Sequence, residues 1–103
     1  MKIIIQTPGF KADAKLLNFV TKKLQKLDQL HNRIKECQVF LKLEKSDIQK
    51  NKTCEIKLVL PGTDLFASIQ SQTFEAAVNN VIEALKRQLR DLKIEYKGDE
   101  LHI

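Results

Sequence analysis

Hydrophobic and polar positions follow two different rhythms along this chain, and the changes of rhythm mark its elements. Residues 2–7, K-I-I-I-Q-T, are a short β-branched run, which predicts a strand, and Pro8-Gly9 ends it. Asp13 stands where a helix cap belongs, before a helix reaching about His31. In that helix Leu16, Leu17, Val20, Leu24, Leu27 and Leu30 recur at three- and four-residue steps and form one apolar face. From residue 37 the period drops to two. Cys37, Val39, Leu41 and Leu43 alternate with Gln38, Phe40, Lys42 and Glu44; Cys54, Ile56, Leu58 and Leu60 alternate with Thr53, Glu55, Lys57 and Val59. Two half-buried antiparallel strands follow, 37–45 and 52–60, joined by the polar turn S-D-I-Q-K-N-K. Leu60-Pro61-Gly62-Thr63 suits a type II turn, with Pro fixing the second position and Gly supplying positive φ at the third. Another strand is expected at about 64–72. Thr73 caps the last helix, 73–97, whose apolar set is Phe74, Ala77, Val78, Val81, Ile82, Leu85, Leu89 and Leu92. Gly98 is its expected stop, and 98–103 a short tail.

The order is β-α-β-β-β-α. One apolar sheet face and two amphipathic helices predict an α+β domain of two layers: a mixed four-stranded sheet with both helices on one face. The 103 residues fit one domain, residues 1–97. No run approaches the roughly 18 apolar residues of a membrane span. The opening M-K-I-I-I-Q is too short for a signal peptide, which leaves the cytoplasm as the default location. The cysteines agree. If the two strands pair as a hairpin, Cys37 lies opposite about Leu60 and Cys54 opposite about Leu43. The thiols are then about 20 Å apart along the ladder, well beyond the roughly 7 Å between α-carbons that a disulfide needs. Two free buried thiols suit a reducing compartment. No C-x-x-C or H-x-x-x-H spacing suggests a metal site, and no cofactor motif is present.

Charge adds the first functional hint. The net charge is +5 and the isoelectric point about 9.3, which favours an anionic partner or simply solubility. On the last helix Lys86, Arg90, Lys93 and Lys97 share a sector of about 60° beside the apolar face, with Arg87 alongside. Glu75 lies on the same stripe near the helix start. A helix macrodipole alone favours acid at the start and base at the end. The first helix is harder to explain that way. Lys15, Lys22 and Lys26 share a sector of about 40°, and Lys23 flanks the apolar face. Residues 15–35 hold six positive side chains and one negative, Asp28. Either this is a solvated lysine face, or two basic edges lie side by side and form a patch suited to phosphates.

No catalytic set emerges. Carboxylates are scattered, His31 has no evident nucleophile partner, and Gly9, Gly62 and Gly98 are isolated rather than a phosphate loop. The chain therefore reads as a binding protein and not an enzyme. Phe40, Val59 and Phe66 fall on the strand face away from the apolar set. The RNP segment of an RNA-recognition motif is missing, so these three point instead to a patch through which two copies could pair. That gives a second reading, a protein-interaction module dimerising through its sheet face.

The start M-K-I-I-I-Q, the segment V-F-L-K-L-E-K, and above all L-F-A-S-I-Q-S-Q-T-F-E-A-A-V-N-N-V-I-E-A-L-K-R-Q-L-R-D-L-K resemble the ribosome hibernation-promoting factor family, which includes the ribosome-associated inhibitor, protein Y. The resemblance covers about residues 1–97, and its most specific part is the closing helix. It implies a fold related to the double-stranded-RNA-binding domain. It also implies binding to the small ribosomal subunit and its rRNA, in the channel of messenger and transfer RNA, so that translation is silenced without any reaction. Members of the family carry basic residues on both helices; here Lys22, Lys23 and Lys26 match the first, and Lys86, Arg87, Arg90 and Lys93 the last. The chain resembles the short form of the family, which implies promotion of ribosome dimers or the holding of single ribosomes idle. It departs from the pattern at the start of the last helix. Thr73 and Glu75 stand where the family often has Asp and Tyr.

Overall fold

The computed structural model describes residues 1–44 and 51–101, with side chains described as far as residue 92. Six elements follow in order: β1 (Lys2–Gln6), α1 (Ala14–Leu30), β2 (Glu36–Leu43), β3 (Lys52–Leu60), β4 (Thr63–Ser71) and α2 (Phe74–Leu101). The strands form one sheet in the order β1-β2-β3-β4. β1 runs parallel to β2, and the other neighbours are antiparallel. This is the mixed α+β sheet that the sequence pattern predicts, and the polar 46–50 turn lies outside the described residues.

Local chemistry sets the element ends. Asp13 caps α1 by accepting a 2.8 Å hydrogen bond from the Leu16 N–H, and Thr73 Oγ1 accepts the Ala76 N–H at 3.0 Å. Each satisfies a backbone donor that the first helical turn leaves without a partner. Pro61 and Gly62 join β3 to β4 in a two-residue turn, closed by the Leu60–Thr63 pair. Gly62 takes φ +81°, the conformation that favours glycine there.

All core side chains belong to one layer between the sheet and the two helices. Val20, Leu24 and Leu27 of α1 join Cys37, Val39 and Leu41 of β2, Cys54, Ile56 and Leu58 of β3, and Val78, Val81 and Leu85 of α2. Each of these is at most 1% exposed. The other sheet face carries Ile4, Phe40, Val59 and Phe66, as the alternation of the strands predicts.

Three expectations need correction. The β2–β3 register places Cys37 opposite Leu58 and Cys54 opposite Leu41, two residues from the pairing expected. An even slip preserves which face each side chain occupies, so the burial pattern survives it. The thiols are about 13 Å apart along the ladder and remain free and buried. Next, α2 does not stop at Gly98 but continues to Leu101. A glycine inside a helix costs about 1 kcal/mol relative to alanine, which weakens a helix without ending it. Finally, Leu30 and Leu43 share the core-facing rhythm yet are 66% and 51% exposed. Leu43 lies three residues past the last β1 partner, since Gln6 faces Phe40. Leu30 is the last residue of α1.

Two outcomes test this packing. Leu24→Ala should cost about 2–5 kcal/mol, whereas Leu30→Ala should stay within about 0.5 kcal/mol, measured by urea unfolding. Burial pushes both thiols up to about 12 from 9.0; for Cys54 the negative charges of Cys37 and Glu55 add to this. An aromatic disulfide reagent should therefore react with neither cysteine in the native state and with both in urea. The raised values mean that the thiols do not oppose folding below pH 9 and weaken the fold progressively as pH rises from there towards 12.

Candidate functional site

The chain order dictates how the two helices lie. A helix that returns from β1 to the parallel strand β2, and another that follows β4, both run back across the same sheet face. They therefore point the same way. Their N-terminal ends meet where Phe10, Asp13, Lys15, Leu16 and Phe19 border Phe74 and Glu75. There the Phe10 and Phe74 rings stack, with centroids 5.0 Å apart and planes 5° from parallel. Further along, Leu27, Leu30 and His31 of the α1 end face Lys86, Leu89 and Arg90 of α2 across an open groove of about 270 Å³. Eleven residues separate Leu16 from Leu27 and Glu75 from Lys86, so the helices stay in step.

This arrangement brings several of the sequence-predicted basic residues together. Lys86 and Arg90 line the groove directly. Lys23 and Lys26 stand one helical turn before Leu27 and Leu30 and continue the α1 rim, with Lys22 one further turn back. Lys22 and Lys26 are exposed, and Lys23 is half-buried with its ammonium 5.5 Å from the Phe19 ring centre. Arg87 is exposed beside Arg90 but does not line the groove. Lys93 lies further along α2, and its side chain is outside the described residues.

Partners divide these cations. Lys86 is 3.3 Å from Glu83, and the Arg90 Nε is 3.7 Å from Asp91. Both pairs are exposed and lie within one helix, a geometry worth little in water, so either cation can turn to an external anion. Lys22, Lys26 and Arg87 have no such acidic neighbour among the described residues.

Helix length settles one electrostatic question. The macrodipole acts on the last turn of a helix. α2 reaches Leu101, eleven residues or about 16 Å past Arg90, and its last turn contains no basic residue. The last turn of α1 has none either. Lys86, Arg87 and Arg90 are therefore mid-helix charges, and dipole compensation does not account for them.

The opposite side of the molecule differs in charge. By register the outer sheet face carries Lys2, Lys42 and Lys57 with Glu36, Glu55 and Asp64. Lys42 pairs with Glu55 at 2.9 Å and Lys57 with Asp64 at 3.6 Å. Phe40 and Phe66 sit in separate rows of this face, opposite Glu55 and Lys57. Among the described residues that face carries as many positive as negative side chains, while the helices carry an excess of positive ones.

Sequence reasoning missed the apolar part of the groove. Leu30 shares the periodicity of the core residues, so no local signal separates it from Leu27. At the start of α2, Thr73 performs the capping that an acidic residue also performs, and Glu75 is exposed beside Phe10.

The geometry can be set beside known proteins. The family model described as Sigma 54 modulation protein / S30EA ribosomal protein matches residues 3–97. A protein of Escherichia coli (strain K12) named ribosome hibernation promoting factor is 37% identical over 82 residues, 80% of this chain and 82% of that protein. A protein of the same name from Salmonella typhimurium is 36% identical over 74 residues, 72% of this chain and 74% of its own. A ribosomal subunit interface protein from Coxiella burnetii has the same fold, with a TM-score of 0.81 over 91% of this chain and 99% of that one, at 20% identity. The N-terminal domain of Thermus thermophilus Protein Y follows with a TM-score of 0.72 over 89% and 99%, also at 20% identity. These two speak for the fold. The family match, which runs through nearly every element described above, carries the assignment: this chain belongs to the Sigma 54 modulation protein / S30EA ribosomal protein family.

Proposed function

We propose that this protein is a ribosome hibernation factor that binds the small ribosomal subunit in its mRNA/tRNA channel and silences translation by filling it. Family membership and the curated relatives named ribosome hibernation promoting factor support hibernation as the role. The observation that carries the binding mode is the groove whose α2 wall holds Lys86 and Arg90, with Lys23 and Lys26 one helical turn before its α1 residues Leu27 and Leu30, at positions that helix dipoles do not explain.

Lys22, Lys23, Lys26, Lys86, Arg87, Arg90 and Lys93 are the proposed rRNA contacts. Their ammonium and guanidinium groups neutralise phosphates and release condensed counterions, which drives association. Contacts of this kind fix position and orientation without reading sequence. Occupation of the channel is sufficient for inhibition, so the mechanism requires no bond to be made or broken, no cofactor and no small-molecule substrate. The protein works in the cytoplasm, where the ribosomes are. It either promotes ribosome dimers or holds single ribosomes idle.

A second reading draws on Phe66, which is 55% exposed on the helix-free face. There the protein would be an interaction module that dimerises through the sheet. The charge balance and row spacing of that face make it the weaker reading.

Co-sedimentation with purified small subunits across a salt series tests the first. Binding should weaken steeply with salt. Combined Lys22→Glu, Lys26→Glu, Lys86→Glu and Arg90→Glu changes should lower the slope of log affinity against log salt by about 3. Intact binding by that variant would exclude these residues as the contacts. A stable dimer in sedimentation velocity that is lost on Phe66→Ser, with no affinity for subunits, would favour the sheet-face reading.

A further inference from the structure

We propose that the groove between the end of α1 and the middle of α2 holds an unpaired nucleotide, its base against Leu27, Leu30 and Leu89 and its phosphate against Lys86 and Arg90. The proposal rests on the rRNA-binding reading above and adds the kind of RNA that the site prefers.

Leu30 is the starting point. Single exposed apolar residues are ordinary on protein surfaces. This one, 66% exposed, lines a groove whose opposite wall is cationic. Leu27 and Leu89, at 1% and 2% exposure, close the floor beneath it. Leu30 is not part of the buried core, so core packing does not call for a leucine there.

The same walls offer planar groups. His31 and Arg90 border the apolar floor, and unpaired bases stack on imidazole and guanidinium planes. The groove volume of about 270 Å³ suits one nucleotide and not a folded element.

Duplex RNA does not use such a site. Its bases are stacked inside the helix, and it presents backbone and a shallow minor groove. It could satisfy Lys86 and Arg90 but would leave Leu30 facing nothing apolar. A free phosphate has the same shortcoming. An unpaired nucleotide supplies both an apolar plane and an anion within one residue. An acidic peptide with an apolar anchor also combines these features. RNA is favoured because the cationic rim continues away from the groove along α1 through Lys26 and Lys22, where a polymer with a phosphate at every residue keeps finding partners.

The test is fluorescence anisotropy with a labelled single-stranded oligoribonucleotide of about twelve residues and a blunt-ended RNA duplex whose strands have the same length. The wild type should bind the single strand more tightly. Leu30→Ser, a substitution at an exposed site, should weaken single-strand binding about tenfold and leave both duplex binding and the salt slope unchanged. His31→Ala should act in the same direction. Equal affinity for the two RNAs, or single-strand binding indifferent to Leu30→Ser, would overturn the proposal. So would a Leu30→Ser variant that loses affinity for small subunits but not for the oligonucleotide, because a protein surface would then occupy the groove. The charge-reversal experiment on subunits reports on the hibernation reading separately and can succeed whichever way Leu30 behaves.

Discussion

The apolar layer where Val39, Leu41, Ile56 and Leu58 of the central strands meet Val20, Leu24, Val81 and Leu85 of the helices is the constraint that organises this molecule. The described residues build one such layer, with both helices on one face of the sheet. The outer surface of each helix and the back of the sheet must then face water. Chain order adds the second constraint. Both helices cross the covered face in the same direction, so residues at corresponding heights become neighbours. The Phe10–Phe74 stack fastens that alignment at one end. The groove lined by Leu27, Leu30, Lys86 and Arg90 is a consequence at the other.

Charge then falls where packing permits it. Long basic side chains bordering an apolar stripe keep their methylene stems on the hydrophobic surface and their heads in water. Lys23 illustrates this, with its ammonium close to the Phe19 ring. Because α2 extends so far beyond Arg90, Lys86, Arg87 and Arg90 do not lie near the negative pole of the helix. A basic surface made this way is held by the hydrophobic core and not by local electrostatic compensation.

The sequence made the element types, their order and the buried faces of the strands legible, because a period of two and a period near 3.6 are hard to confuse over this length. The β2–β3 register was harder. Nothing in S-D-I-Q-K-N-K specifies the pairing, and a slip of two residues leaves the hydrophobic alternation intact. Gly98 carried a stop signal that the backbone of α2 overrides. Leu30 and Leu43 show the limit of periodicity. Whether the last apolar residue of a stripe is covered depends on where its neighbours end, and that is a property of the assembled layers. The basic residues of each helix are visible in the sequence one helix at a time. The groove between them needs both helices in place.

The contrast between the two faces has a consequence for the approach to a partner. Among the described residues the helices carry an excess of positive side chains, while the back of the sheet pairs Lys42 and Lys57 with carboxylates. Such a particle is more positive on one side than on the other. In the field of a large polyanion it experiences a torque as well as an attraction, and it begins to turn before any atom touches. Encounters are therefore biased towards a helices-first arrival, and the rotational search that limits most macromolecular docking is shortened by the way one small core distributes its charges.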